Sequence, residues 1–224
     1  RCFASMQTLV RQASASTLVV IDPAGDPQTV EVARRLAGRV ETHPFQNFST
    51  QRNYALDVAT TRWVFFIDPD ERFTPDLAMH VTRAIETGTH SAYRVARRNI
   101  FFGREVRHTG WYPDYQVRLL DRTRCRYDEE QAVHEVPVVE GSTGTLGAPL
   151  LHFNYATWRQ FYSKQLAYAD LHARALFSAG HRARPRSLVG QPLRELKRRL
   201  IDYRGYKDGW LGLSLSFAMA AYTF

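Results

Sequence analysis

Two aspartates, Asp68 and Asp70, directly follow an apolar run at residues 63–67. That run is short and rich in aromatic and β-branched residues, which predicts a buried strand covered on both faces. Pro69 lacks a backbone donor and ends the strand, so both carboxylates stand at its carboxyl edge, where open α/β sheets bind ligands. Neighbouring carboxylates repel each other unless a cation lies between them, and a hard divalent cation carrying diphosphate oxygens would serve. The alternative is an acidic turn leading into the next helix.

Charged side chains also stand at the ends of other predicted elements. Asp22 follows the apolar run 17–21, and Arg52 and Asn53 lie in the first turn of a helix that begins after residue 47. A cation near a helix N-terminus does not stabilise the helix, so Arg52 is expected to serve a phosphate or a loop carboxylate, unless it is an ordinary surface arginine. Arg118 lies in a predicted strand and needs an anionic partner if it is buried.

An acid and a potential base, Glu135 and His134, are adjacent in the chain just before a predicted strand at 136–139. This pair is suited to proton transfer, and the alternative is an edge strand that carries polar side chains. His152 lies in an apolar run, where a lone histidine is more often a hydrogen-bonded core residue than a ligand, so its role stays open.

The elements that must position these residues form an α/β pattern. A strand at 17–21, a helix at 28–36 and a strand at 39–41 make a βαβ unit, which predicts a parallel sheet. Ser49 or Thr50 is expected to cap the third helix. Further elements are a helix at 75–86 and short strands at 92–96, 104–107, 116–120 and 136–139.

The C-terminal part differs from the rest of the chain in its pattern of apolar and basic residues. It combines an amphipathic helix at 158–179, a basic helix at 193–203 and an apolar segment at 210–224, a pattern that predicts an element lying on a membrane surface. Residues 181–207 hold nine Lys/Arg and two acids, which account for nearly all of the net charge of +8. This charge favours an anionic partner such as a membrane surface, a phosphorylated lipid or nucleic acid, the alternative being a solvated basic helix.

The overall composition further limits the classes of protein to which the chain can belong. With 224 residues, 44% of them hydrophobic and 23% charged, the chain has an ordinary globular composition. Two cysteines make neither a disulfide framework nor a metal cluster, which favours a reducing compartment. No apolar run is long enough to span a bilayer.

The order of motifs resembles family 2 inverting glycosyltransferases with the GT-A fold, especially the bacterial branch that extends the lipopolysaccharide core or related glycolipids. The resemblance implies a Rossmann-like, mostly parallel central sheet flanked by helices, with a C-terminal helical extension. It assigns residues 1–155 to the catalytic domain and 156–224 to a helical region facing the membrane and the acceptor. The family's first strand and its nucleotide-binding loop are expected to precede residue 1.

The resemblance also implies roles for individual residues. Asp70 matches the ligand of a divalent metal, Mg²⁺ or Mn²⁺, while Glu135 matches the general base and His134 accompanies it. One departure is the loop after Asp22, Pro-Ala-Gly-Asp-Pro-Gln-Thr, where the family has Ser-Gly-Ser-Thr-Asp-Gly-Thr. The donor-binding positions that it implies are Asp22, Arg52, Asn53, Asp68 and Arg118.

The expected reaction moves a sugar from a nucleotide-diphosphate sugar, a UDP-sugar above all, to a glycolipid or lipopolysaccharide-core acceptor. The protein is then cytoplasmic and peripherally bound to the anionic inner face of a bacterial membrane, with no nucleic-acid partner. Three alternatives stay open. A nucleotidyltransferase usually needs a Gly-rich basic phosphate loop, which is not seen. A basic nucleic-acid binder leaves the acids unexplained. The third is an inactive relative.

Overall fold

A computed structural model describes residues 1–129, 136–180 and 185–222, and it confirms the α/β class. The helices are α1 Cys2–Gln12, α2 Pro27–Leu36, α3 Phe48–Val58, α4 Pro75–Thr87, α5 Trp158–Ser178, α6 Pro185–Lys197 and α7 Gly209–Ala221. The strands are β1 Leu18–Ile21, β2 Arg39–Thr42, β3 Trp63–Phe65, β4 Glu71–Arg72, β5 Ala92–Phe101, β6 Arg104–Val106, β7 Asp114–Asp121, β8 Cys125–Tyr127, β9 Pro137–Val139, β10 Thr143–Thr145 and β11 Leu150–Tyr155.

The sheets are mixed, whereas the resemblance implied a mostly parallel sheet. Strands β1 and β2 pair in parallel around α2, as the βαβ pattern predicts. The largest sheet has seven strands in the order β3-β7-β5-β11-β4, with β6 and β10 also paired to β5. In it β5 and β10 are parallel, but β3 pairs with β7 and β5 with β6 in antiparallel fashion, as β8 does with β9. Short connections such as the β5–β6 turn permit only antiparallel pairing, because a parallel pair needs a long crossover.

Two local predictions near the acidic stretch need correction. Strand β3 ends at Phe65 and is only half-buried, although Phe66 still donates its backbone N–H to the Arg118 carbonyl at 2.8 Å. Helix α3 is capped by Asn47, whose side chain accepts the backbone N–H of Thr50 at 2.8 Å. Thr50 Oγ1 in turn accepts the Asn47 N–H, so Thr50 completes a reciprocal capping box without being the cap.

The first compact unit comprises Arg1–Ala96 and Tyr115–Leu150. One of its hydrophobic clusters is centred on α4 and includes Leu77, Val81 and Leu119, all almost completely buried. A second cluster holds α3 against β7 and β8. These clusters fix the ends of β3, β7 and β8 relative to one another, and the candidate site lies at those ends.

The second unit comprises Arg97–Asp114 and the residues from Leu151 onward. The compact units therefore differ from the expected 1–155 and 156–224 boundaries, because the β5–β6 turn and the aromatic segment after it belong with the C-terminal helices. The functional division between a catalytic and an acceptor-side region stays a prediction. The core of this unit contains Phe101, Phe161 and Leu215, all of them fully buried.

Helix α7 is largely a core helix, although the sequence predicted a membrane-surface segment at 210–224. Its Leu211, Leu215 and Ala218 are buried in the second unit. A Cβ atom at Gly212 would lie 2.0 Å from the Gly205 carbonyl oxygen, so this close approach requires glycine. In the part of the chain that the structure describes, no helix is both long and apolar enough to cross a membrane.

Candidate functional site

A buried arginine joins two carboxylates where β3 ends. Arg118, on β7, is 3% exposed, and its Nη2 donates to Asp68 Oδ2 at 2.5 Å and to Glu71 Oε1 at 2.6 Å. Burial alone would lower the pKa of Arg118, but the charges of Glu71 and Asp68 outweigh burial and raise it above its ordinary value. Arg118 is therefore permanently charged, and it has two anionic partners where the sequence predicted that it needs one.

Glu71 closes the turn that carries the two aspartates. Its side chain is fully buried, and its Oε2 accepts the backbone N–H of Asp68 at 2.9 Å. The Glu71 N–H in turn donates to the Asp68 carbonyl at 2.9 Å. Sequence reasoning assigned no role to Glu71, although an acid beside Asp70, in the charged segment that follows the apolar run, was a visible signal. Glu71 sets the backbone of the turn and shares Arg118 with Asp68.

Asp68 and Asp70 differ in their surroundings. The Asp68 side chain is 41% exposed, and its Oδ1 has no hydrogen-bond partner among the described residues. Asp70 is half-buried two residues later in the same turn. Across residues 1–129, 136–180 and 185–222, no group of three or more His, Cys, Asp or Glu side chains is placed to hold a metal ion. Mg²⁺ often takes only one or two carboxylates and completes its shell with phosphate and water, so the oxygen donors of this turn fit such an ion.

Both N–H donors of the Asn53 side chain and one acceptor site of its Oδ1 are used within the protein. Its Nδ2 donates to the Tyr127 carbonyl at 2.9 Å and to Glu129 Oε1 at 2.8 Å, while its Oδ1 accepts the Tyr127 N–H at 2.9 Å. Asn53 thus fastens α3 to β8 and to the residue that directly precedes 130–135 in the chain. A donor-binding role would need one of these bonds to break.

Arg52 contacts the same strand from the neighbouring position on α3. Its guanidinium carbon lies 5.3 Å from the centre of the Tyr127 ring. Burial raises the pKa of the Tyr127 hydroxyl, and the Arg52 charge partly opposes that shift. Arg52 is the fifth residue of α3 and hence lies beyond the first turn, where the sequence placed it.

Asp22 directly follows β1, as predicted. Its Oδ1 accepts the backbone N–H of Ala24 at 3.1 Å, and its carbonyl accepts that of Gly25 at 2.9 Å. The loop is therefore a tight turn held by the aspartate itself. This arrangement leaves the second oxygen, Oδ2, without a hydrogen-bond partner among the described residues.

The remaining predicted residues fall elsewhere. Glu135 and His134 lie outside the described residues. His152 belongs to the second unit, where it is buried and its Nδ1 lies 2.7 Å from Asn99 Oδ1. Asn99 uses its Nδ2 to donate to the Trp111 carbonyl at 2.7 Å, so the imidazole is the donor to Oδ1. His152 therefore behaves as the hydrogen-bonded core residue that the sequence favoured.

The first unit thus brings together Asp68, Asp70, Arg118 and the Arg52–Asn53 pair around adjacent strand ends of an α/β fold. The family model "Glycosyl transferase family 2" matches residues 2–137, which is more than half of the chain. The chain belongs to glycosyl transferase family 2, as the order of its motifs indicated.

One curated protein and one solved structure are similar to this chain. The chain is 30% identical over 151 residues to the "Lipopolysaccharide core biosynthesis glycosyltransferase LpsC" of Rhizobium meliloti (strain 1021), an alignment that covers 66% of this chain and 56% of that protein. The chain therefore spans little more than half of that relative's length. The solved structure "Crystal structure of S. aureus TarS 1-349" aligns with a TM-score of 0.45 and 13% identity over 99% of this chain and 77% of that one.

Proposed function

We propose that the chain carries the catalytic part of an inverting glycosyltransferase, which moves a sugar from a nucleotide-diphosphate sugar to a glycolipid or lipopolysaccharide-core acceptor. The observation that carries this proposal is the Arg118–Asp68–Glu71 arrangement. Arg118 neutralises one side of the Asp68 carboxylate, and the other oxygen remains exposed to accept a hydroxyl of the donor. A fixed acceptor at a strand end in a family 2 fold is what recognition of a ribose or sugar hydroxyl requires.

Asp70 is the residue that we propose to hold a divalent metal, Mg²⁺ or Mn²⁺. Asp68 already has Arg118 as its cation, so we expect Asp68 to bind a hydroxyl of the donor and Asp70 to bind the metal. When bound, the metal would neutralise the charge that develops on the departing diphosphate. On the protein side, Arg52 and Asp22 are proposed to contact the phosphates and the nucleotide base, with UDP as the expected carrier. Asn53 is then a positioning residue.

Glu135 is the proposed general base. It would take the proton from the acceptor hydroxyl as that oxygen attacks the anomeric carbon, the nucleoside diphosphate leaves from the opposite face, and the configuration inverts. General-base assistance of this kind contributes roughly 10²–10⁴-fold. Support for the assignment comes from the resemblance and from Asn53, which fixes Tyr127 and Glu129 just before this segment.

The acceptor side is proposed to face an anionic membrane surface from the cytoplasm, without a nucleic-acid partner. Helix α6 supports this proposal because Val189 and Leu193 are 62% and 60% exposed and lie among basic residues. Apolar side chains interleaved with Lys and Arg suit peripheral binding to anionic lipid. Helix α7 contributes mainly core packing and supports this proposal less than its sequence suggested.

The decisive experiment is donor hydrolysis over a panel of nucleotide sugars, with and without Mg²⁺ or Mn²⁺. We expect metal-dependent release of a nucleoside diphosphate from UDP-sugars. Glu135→Gln should abolish transfer and spare donor binding, whereas Glu140→Gln, an exposed acid between β9 and β10, should leave both unchanged. Near wild-type turnover in the first variant would remove Glu135 from this role. In a parallel reaction with UTP and a sugar 1-phosphate, release of pyrophosphate with formation of a UDP-sugar would instead identify a nucleotidyltransferase. Binding to nucleic acid without hydrolysis would support the basic binder.

A further inference from the structure

A groove of about 440 Å³ is lined by residues of the second unit alone. It is formed by the β5–β6 turn and by the N-terminal ends of α5 and α7. Its wall is mostly aromatic, but it also contains a guanidinium and a hydroxyl. The lining side chains include Phe102, Arg104, Trp158, Tyr162, Trp210 and Ser214.

Three rings of the aromatic wall contact one another, and the wall is partly open to solvent. The Trp158 and Tyr162 rings are stacked with their planes 29° apart, and the Phe102 ring lies 4.5 Å from that of Trp158. Trp210, the second residue of α7, is 80% exposed, and Tyr162 is 47% exposed. Large aromatic side chains that remain exposed beside polar groups provide flat faces for the C–H surface of a sugar ring.

The turn that carries Phe102 has an unfavourable backbone. Phe102 has φ +53° and is followed by Gly103 with φ +78°, the left-handed pair of a two-residue hairpin turn. That conformation favours Asn at the first position, and a bulky aromatic residue there is strained. The Phe102 N–H donates to the Tyr155 carbonyl at 2.8 Å and holds the turn in place. A phenyl ring therefore lies in the groove at a turn position that asparagine would occupy with less strain.

Arg104 is the charged residue among those that line the groove. It is exposed, and it forms no ion pair with any residue that the structure describes. A cation beside an aromatic platform complements a sugar that carries a carboxylate or a phosphate. An acyl chain would gain nothing from the guanidinium, and it would leave that charge partly desolvated.

We infer that this groove binds an anionic pyranose, the carboxylate or phosphate of which pairs with Arg104 while the ring stacks on Trp210. Resting on the proposed glycosyltransferase function, the inference assigns the groove to a sugar of the acceptor. Binding of such a sugar to the groove does not require sugar transfer, so it can be measured without turnover.

The test is a titration of the 224-residue chain with glucuronate, glucose 6-phosphate, methyl glucoside and a short-chain phosphatidylglycerol. Binding is followed by the indole N–H signals of Trp158 and Trp210 in NMR spectra, and by Trp158 alone in the Trp210→Ala variant. We expect saturable binding of both anionic sugars, with a dissociation constant on the order of 1 mM, and weaker binding of methyl glucoside. Trp210→Ala should weaken both anionic sugars roughly tenfold, and Arg104→Ala should remove the preference for them over methyl glucoside.

The matched control is Phe177→Ala, since Phe177 is also 80% exposed but does not line the groove. It should bind the sugars as the wild type does. Absence of saturable sugar binding, a preference for the lipid, or an Arg104→Ala variant that keeps the anionic preference would overturn the inference. The donor-hydrolysis assay reports on the first unit separately, so sugar binding without hydrolysis would count against the proposed function alone, and hydrolysis without sugar binding against the groove alone.

Discussion

Replacement of Arg118 by methionine offers the sharpest test of the site's architecture. Methionine keeps the apolar length of the side chain and removes the charge. Glu71, fully buried, would then lose its ion pair with Arg118, whereas Asp68 is 41% exposed and would be solvated. Breaking a buried ion pair by removing one partner costs about 3–5 kcal/mol, so the free energy of unfolding should fall by that amount. The exposed Asp68 contact adds little, about 1 kcal/mol at most.

Urea denaturation followed by circular dichroism measures this loss, and two further variants locate its origin. Adding Glu71→Gln to Arg118→Met removes the buried charge of Glu71 and keeps an acceptor for the Asp68 N–H. The free energy of unfolding should therefore recover by about 2 kcal/mol. Arg126→Met is the control, because Arg126 pairs with Asp57 where both side chains are more than half exposed, and it should cost about 1 kcal/mol or less.

The reasoning fails if Arg118→Met is no more costly than Arg126→Met, or if the double variant is no more stable than the single one. Either result would mean that Glu71 is not held as a buried anion. The double variant has a functional consequence as well. Asp68 loses the cation that fixes its carboxylate, so binding of UDP-sugars should weaken even where stability has recovered.

Two further predictions concern other parts of the chain. Arg98 and Arg107 hold the pKa of Glu105 down at about 2, so this carboxylate stabilises the fold above its ordinary pKa of 4.5, and that stability is lost as the pH falls towards 2. Solvent screening at the arginines reduces the effect to about 1–2 kcal/mol, and Glu105→Gln should flatten stability over pH 2–4.5 in urea titrations. Asn53→Ala should lower kcat and leave the affinity for UDP unchanged, since the described partners of the Asn53 side chain are Tyr127 and Glu129. Steady-state kinetics with a parallel UDP titration would show this split, and an equal loss of UDP affinity would make Asn53 a donor ligand.

The class of fold, and the positions along the chain of the acidic residues that follow strands, could be read from the sequence. Asp22 follows β1 and the two aspartates follow β3 because short apolar runs ended by turn residues specify where strands stop. The order of these motifs along the chain resembled the family, and the family model that matches residues 2–137 confirms it. Local signals of this kind need no knowledge of which strands become neighbours.

Tertiary structure alone decided which residues pair. Arg118 meets Asp68 and Glu71 only because β7 lies antiparallel beside β3, a pairing that the βαβ pattern did not predict. The Asn53 side chain turned out to bond to Tyr127 of β8, a strand that the sequence did not reveal, and to Glu129. The β5–β6 turn proved to belong with the C-terminal helices. The physical reason is that hydrophobic period and turn chemistry are encoded within a few residues, whereas strand pairing and ion pairing depend on contacts between residues that lie far apart in the chain.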